Sequence, residues 1–430
     1  MSKQDEIVET KLDKIVGGGQ ALGQYPDGRK LFVWGGLPSE TVAVKITKKR
    51  SKLIEGIVVD VTIPSDERIA PIDSESYLST SPWQIMTPEA ETHYKAALIE
   101  EAFELHDIVL PQAIEVYTDG RRFGYRNKVE FSWYWDGEAE QLELAFFRRG
   151  SKGKIPLEGT SLAHETINIL ARAIRNLLRT KPLEARDLKT LLIRCDREGN
   201  CAWQLYVKEE DKTYISEMEA ATLPAQGGEV IYSDPRSPAS RITKRLAAYG
   251  DVVLHDEIRG VAFSYATEGF FQVNLPLYER ALEDMKAWLE PSTPTVDMYS
   301  GVGTIGLTIG SEHTTLVEVD EHAVREMKRN IAALRSNAVA VHAASEQAVE
   351  YLTSDATVIL DPPRAGLHQA VIDRLLEVQP GRIIYLSCNP VTQARDVALL
   401  AEKYGIRAHQ GYNFFPCTPH IEHLVVLDKI

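Results

Sequence analysis

Four cysteines occur in this 430-residue chain, and one of them stands where a strand-like run hands over to a helix-like one. The stretch YLSCNPVTQARDV, Tyr385 to Val397, runs from apolar residues through Cys388 to Asn389-Pro390 and a helix start. A thiol in that place is either inert packing or a nucleophile. A helix N-terminus lowers a thiol pKa from its free value of about 8.5, which suits the second use. A cysteine nucleophile is needed where the carbon to be modified is not itself nucleophilic. C5 of a pyrimidine is such a carbon. Sulfur adds at C6, the enolate so formed takes a methyl group at C5, and a base then removes the C5 proton so that sulfur can leave. A base candidate is Glu422, two residues after His420 in FFPCTPHIEHLVVLDKI, and Cys417 in the same stretch is a rival thiol.

These residues need a scaffold that brings them to one edge. From about residue 261 to 430, strand, polar loop and helix alternate four times, beginning at TPTVDMYSGVGTIG, TTLVEVDEHAV, ATVILDPPRAG and GRIIYLSCNP. Repeated βα units predict a doubly wound parallel sheet, whose ligands bind at the carboxyl ends of the strands. The loop VDMYSGVGTIG, with Asp297, Gly301, Gly303 and Gly306, lets a ligand approach the backbone. The next strand ends in Glu318 and Asp320. Asp320 reads as the N-cap of the following helix, which leaves Glu318 to accept from a ribose diol. That order suits dinucleotides and S-adenosylmethionine (AdoMet) alike. ILDPPRAG separates them, because a strand ending in Asp-Pro-Pro is typical of AdoMet methyltransferases. Enzymes of that class that methylate exocyclic amines usually follow Pro-Pro with an aromatic residue, and Arg364 stands there instead.

The rest of the chain reads as two further domains, as its length leads one to expect. Residues 1–65 alternate apolar runs with Gly-rich and Pro-Asp-Gly breaks, the pattern of a small OB-like β-barrel. Residues 66–260 mix strands and helices as α+β, with Thr87 and Pro88 opening one helix and SLAHETINILARAIRNLLRT forming another. Residues 261–430 form the α/β domain. Cys195 and Cys201 flank a turn in TLLIRCDREGNCAWQLYV and read as two thiols beside a hairpin. Cysteine spacing without a disulfide framework, no apolar run after MSKQDEIVETKLDK and no 20-residue apolar stretch lead us to expect a cytoplasmic protein that does not span a membrane. The net charge of −14 gives no sign of nucleic-acid binding. Two local patches, KITKKRSK and FFRRGSKGK, do leave room for phosphate contacts.

Together these motifs resemble one family. FFQVN, DMYSGVGTIG, DPPRAG, SCNP and FFPCTPHIEH, in that order, are similar to the RNA 5-methyluridine methyltransferases, and FGYRNKVEF extends the likeness to the central segment. The start of the chain looks like a TRAM domain, the RNA-gripping barrel of that family, with Lys48, Lys49 and Arg50 as phosphate contacts. The resemblance implies AdoMet as methyl donor and structured RNA, rRNA or tRNA, as substrate, with no obligate protein partner. It implies Cys388 as nucleophile and Glu422 as base, and Gln272, Tyr299, Gly301, Gly303, Thr304, Glu318 and Asp361 around AdoMet or the uracil. Two alternatives remain: a cytosine-C5 RNA methyltransferase that uses Cys417, and an RNA-binding protein without catalysis. One departure is plain. Many members hold an iron–sulfur cluster on four cysteines, whereas this chain has Asp73, Ser79, Pro82 and Thr160 at the matching places. Such clusters need thiolates, so no iron–sulfur cluster is expected.

Overall fold

The computed structural model describes residues 6–430, so the first five residues of the 1–65 segment lie outside the described residues. Strands Ile7–Val16, Gln20–Gln24, Lys30–Trp34, Thr41–Lys49 and Ile54–Ile63 close into a barrel. Their alternation of apolar and polar residues turns Leu12, Leu31, Val33, Val42, Val44 and Ile54 inward, all fully buried. The central part is a seven-stranded sheet covered by the helix Glu165–Leu178, whose Ile167, Leu170, Ala171, Ile174 and Leu178 form its buried stripe. Cys195 and Cys201 face each other across the hairpin of this sheet, as two buried free thiols.

The C-terminal part is a Rossmann-like layer of helices on an eight-stranded sheet. Strand order is Val339–His342, Thr314–Glu318, Thr295–Met298, Thr357–Leu360, Arg382–Ser387, Glu422–Lys429, Tyr404–Tyr412 and Val116–Tyr117. The first five run parallel, and Glu422–Lys429 enters antiparallel between two of its neighbours. The order reverses beside Thr295–Met298, which is where a doubly wound sheet opens its ligand crevice. Residues 88–117 belong to this layer in space. The helix Pro88–Glu104 packs Ile99, Ala102 and Phe103 into the same core as Val358 and Tyr385, and Val116–Tyr117 supplies the edge strand. Thr87 caps that helix by accepting from the Ala90 N–H at 3.2 Å, with Pro88 at the first position.

Three of the four positions without cysteine, Asp73, Ser79 and Thr160, take part in hydrogen bonds instead. The Asp73 carboxylate accepts from the Ser161 hydroxyl at 2.8 Å, Gln84 Nε2 at 3.0 Å and the Thr160 hydroxyl at 3.2 Å. Gln84 Oε1 in turn accepts from the Asp73 N–H at 3.0 Å, and Ser79 accepts from the Arg149 N–H at 3.1 Å. This clasp ties the segment after the barrel to the central sheet. Asp73→Ala removes the acceptor of the Ser161 N–H and of the Ser161 and Thr160 hydroxyls, and is expected to lower stability by about 1–3 kcal/mol. Denaturant unfolding would check this; an unchanged midpoint would deny the clasp any structural weight.

Candidate active site

Backbone register brings the two candidate side chains, Cys388 and Glu422, to one edge of the sheet. Strand Arg382–Ser387 pairs antiparallel with Glu422–Lys429, with Ser387 opposite His423. Cys388 and Glu422 are the residues next beyond that pair, and the Glu422 charge acts on the Cys388 thiol. Parallel pairing of Met298 with Leu360 and of Leu360 with Tyr385 places Tyr299 and Asp361 at the same edge. Gln272, Tyr299, Gly301, Glu318, Asp361, Cys388 and Glu422 line one cavity of 1510 Å³. Single-ligand pockets commonly span roughly 300–1,000 Å³, so donor and acceptor fit side by side.

Not every residue singled out in the sequence reaches this cavity. Gly303 caps the helix Thr304–Ile309 with φ of 90°, and the Thr304 hydroxyl is bonded to the Tyr278 hydroxyl at 2.8 Å behind the wall. Both shape the loop from the rear. Cys417 is fully buried, packed with Tyr125 and Leu162, its Sγ 3.8 Å from the Arg122 carbonyl. Cys417, the thiol of the cytosine-C5 alternative, therefore does not line the cavity. The reason lies in the helix Pro88–Glu104, whose buried Glu91 accepts from the Cys417 N–H at 2.8 Å and pairs with buried Lys95 at 3.0 Å. That carboxylate turns the loop away from the cavity. Asp320 caps its helix, accepting from the Ala323 N–H at 2.9 Å. In the barrel, Lys48 pairs with Glu55 at 2.7 Å and Lys49 with Glu6 at 3.1 Å, so two of the three expected phosphate contacts are already matched with carboxylates.

The loops that carry the site are braced from below. The loop after Asp361 turns at Gly366, φ of 79°, where a Cβ would lie 2.6 Å from both Arg395 and Asp396. Buried Asp396 accepts from the Leu367 N–H and the Tyr385 hydroxyl, each at 2.8 Å. Asn389 and Thr392 donate to the Arg364 carbonyl at 2.8 and 3.2 Å, which ties this loop to the Cys388 turn. Buried Arg194 donates to the Gly269 carbonyl at 2.6 Å and to that of Phe271 at 3.1 Å, holding the backbone ahead of Gln272. Asp396 and Arg194 were not singled out in the sequence. A charge inside an otherwise apolar run, as in LLIRC, is the signal by which Arg194 could have been found.

Electrostatics at the site are dominated by buried acids. Burial raises Asp361 to about 7. Burial and the nearby Asp361 raise Glu422 well above the usual carboxyl range, while Arg364 opposes the shift. Cys388 rises to about 11, from burial first and then from the charges of Glu422 and Asp361. This corrects the expectation of a thiol activated by its helix alone. Burial and two carboxylates outweigh the helix, and Arg364 is the cation that favours the thiolate.

AdoMet fits the residues at the far end of the cavity. Gly301 has φ of 57°, and a Cβ there would meet nothing within 4 Å, so the cavity reaches bare backbone. Glu318 is locked in place by the Gly301, Val319 and Asp320 N–H groups at 2.9, 2.8 and 2.7 Å, with acceptor capacity left over for hydroxyls.

The family model of tRNA (uracil-5-)-methyltransferases matches residues 348–430, the stretch that holds Asp361, Cys388 and Glu422. Full-length relatives include a protein of Fusobacterium nucleatum named an uncharacterised RNA methyltransferase, 25% identical over 100% of this chain and 97% of its own. One of Streptococcus mutans, named likewise, is 28% identical over 100% of both chains. Among solved structures, the tRNA (uracil-54, C5)-methyltransferase of Pyrococcus abyssi, in complex with S-adenosyl-L-homocysteine, shares the fold with a TM-score of 0.80 at 19% identity, over 97% of this chain and 100% of that one. Motif order, strand register and these likenesses agree: the chain is similar to RNA uracil-5-methyltransferases over residues 348–430 and to RNA methyltransferases over its whole length.

Proposed function

We propose that this protein methylates C5 of uridine in structured RNA, tRNA or rRNA, through a covalent bond between Cys388 and C6 of the base. The observation that carries this reading is the register that brings Cys388 and Glu422 to the near end of a cavity, with Gly301 and Glu318 at the far end. When bound, AdoMet supplies the methyl group to C5 as an electrophile. The chain's own residues do the rest. The Cys388 thiol loses its proton beside Arg364, and the thiolate adds to C6, pushing electrons onto C5 and O4. After C5 is methylated, Glu422 takes the C5 proton, the C5–C6 double bond re-forms and the C6–S bond breaks. Sulfur leaves as the thiolate and takes up the proton held by Glu422, which restores the thiol and the carboxylate; the proton first lost by Cys388 is the one released to solvent. Glu422 must be ionised for this step, while its burial opposes ionisation.

Within this reading, residues 1–65 grip RNA as a TRAM-like barrel. Residues 66–260 support the substrate, and residues 261–430 carry out the transfer. No helix among the described residues is long and apolar enough to cross a membrane. A cytoplasmic site of action without an obligate protein partner belongs to the same reading. The four free cysteines support that compartment.

Mass spectrometry of tRNA and rRNA nucleosides from cells with and without the gene tests the reaction. Loss of 5-methyluridine is expected; loss of 5-methylcytidine with 5-methyluridine unchanged would refute it. The donor end is tested separately. Glu318→Ala removes an acceptor and the lock on the Gly301 loop, and is expected to weaken AdoMet binding by roughly 10- to 100-fold in calorimetry. Unchanged affinity would move the ribose elsewhere in the cavity.

A further inference from the structure

A second, smaller cleft also borders Cys388. It measures 220 Å³ and is lined by Gly17, Gly18, Arg364, Cys388, Pro419 and His420, among others. The large cavity and this cleft share Cys388 and Arg364. We propose that the cleft receives the nucleotide adjoining the target uridine, its base against the bare backbone of Gly17 and Gly18 and its phosphate beside Arg364 and His420. This rests on the uridine reading above and adds to it a role for the barrel in choosing the substrate.

Three observations carry it. The first is direction. A uracil attacked at C6 by Cys388 turns C5 toward Glu422 and the large cavity, so its ribose and the strand leave on the opposite side. The small cleft, which also borders Cys388, offers the strand an opening there. The second is charge. No Asp or Glu is among the described residues that line the cleft. Arg364 Nη2 lies 3.4 Å from His420 Nδ1. After burial, the causes that depress the proton affinity of His420 are four cations: Arg364, Lys95, Arg126 and Arg149. An excess of positive charge around a half-open cleft attracts a phosphate. The aromatic rings between these cations continue the path, with Arg126 over Phe415 at 5.8 Å and Arg149 over Trp34 of the barrel at 4.0 Å. Cations interleaved with aromatic rings form the pattern of a single-strand groove.

The third observation is the glycine turn itself. Gly19 is pinned from behind: its carbonyl accepts from Trp83 Nε1 at 2.9 Å, and a Cβ there would lie 2.2 Å from Pro419. The Trp83 N–H in turn donates to the Cys417 carbonyl at 3.0 Å, so one residue fastens the barrel turn to the loop before Glu422. In front, a Cβ at Gly17 or Gly18 would meet nothing within 4 Å. The turn is thus fixed at its rear and empty on the cleft side. Gly18 needs glycine for its φ of 93°, but Gly17 lies outside the left-handed region, so any residue can adopt its backbone. Glycine at 17 is therefore explained by the space it leaves.

Gly17→Leu fills that space without straining the turn. The probe is tRNA and rRNA transcribed with 5-fluorouridine, mixed with AdoMet and wild-type or variant protein. Fluorine at C5 cannot be removed as a proton, so the adduct is trapped. Gly17→Leu is expected to bind AdoMet as the wild type does and to form adduct at least tenfold more slowly. The nucleotide beside the trapped fluorouridine, protected from base-specific chemical modification in the wild-type complex, is expected to become reactive. Gly17→Ala, whose single methyl group is smaller, should fall between the two and so exclude misfolding as the cause. Equal trapping rates and equal protection in all three proteins would overturn the cleft assignment and leave the uridine reaction standing. Absence of any adduct with the wild type would overturn the reaction itself, and the cleft assignment with it.

Discussion

Cys388→Ala is expected to lower turnover on the order of 10⁴-fold or more, because no other group can make C5 nucleophilic. AdoMet binding and melting temperature should barely change, since Cys388 is only partly buried and a small side chain replaces it. A radiolabelled methyl-transfer assay on unmodified tRNA and rRNA would measure the loss. Retention of more than a few per cent of activity would exclude Cys388 as the nucleophile. The pH profile of the wild type follows from the same site. With the thiol raised to about 11 by burial and two carboxylates, the thiolate is the minor form at neutral pH. Adduct formation should therefore rise roughly tenfold per pH unit through the neutral range.

Glu422→Gln separates adduct formation from its resolution. The amide cannot take the C5 proton, so turnover is expected to fall by about 10²–10⁴-fold while methylated covalent complex accumulates on ordinary uridine RNA. Denaturing gels of protein mixed with RNA and AdoMet would show that complex. Its absence, with turnover near wild type, would remove Glu422 from the base role. Stability is expected to move the other way. Glu422 has its folded-state pKa raised above 4.5 by burial and by Asp361. The protonated carboxyl contributes stability below pH 4.5, and that contribution is lost as pH rises through the raised value. Between pH 4.5 and its raised value the wild type forgoes the ionisation its unfolded chain gains, a cost that glutamine lacks. Glu422→Gln should then melt a few degrees higher at pH 8, with the difference shrinking toward pH 4.5, a gain in stability obtained by giving up function.

The parts of this site that were legible in the sequence are those that contiguous chain determines. A strand followed at once by Cys388, Asn389 and Pro390 could only place the thiol at a strand's carboxyl end. Asp320 could be told from Glu318 because a capping residue sits at a fixed offset from its helix. What escaped was set by distant partners. The burial of Cys417 depends on Glu91, 326 positions away along the chain. The raised pKa of Cys388 depends on Glu422 and Asp361, which reach it only through strand pairing. Glycine-loop spacing could not say which members face the ligand. Gly301 opens onto the cavity, whereas at Gly306 a Cβ would lie 2.3 Å from Leu316, so that glycine serves close packing. The small cleft was invisible for the same reason, being assembled from the barrel turn, the Arg364 loop and the loop before Glu422.

The most direct measurement is to locate the covalent bond. Wild-type protein, AdoMet and 5-fluorouridine RNA are allowed to react, the complex is digested with protease and nuclease, and the nucleotide-bearing peptide is sequenced by mass spectrometry. The peptide is expected to carry its nucleotide on Cys388, with the same yield in Cys417→Ser and none in Cys388→Ala. A nucleotide on Cys417, or a stable complex that survives in Cys388→Ala, would contradict the account.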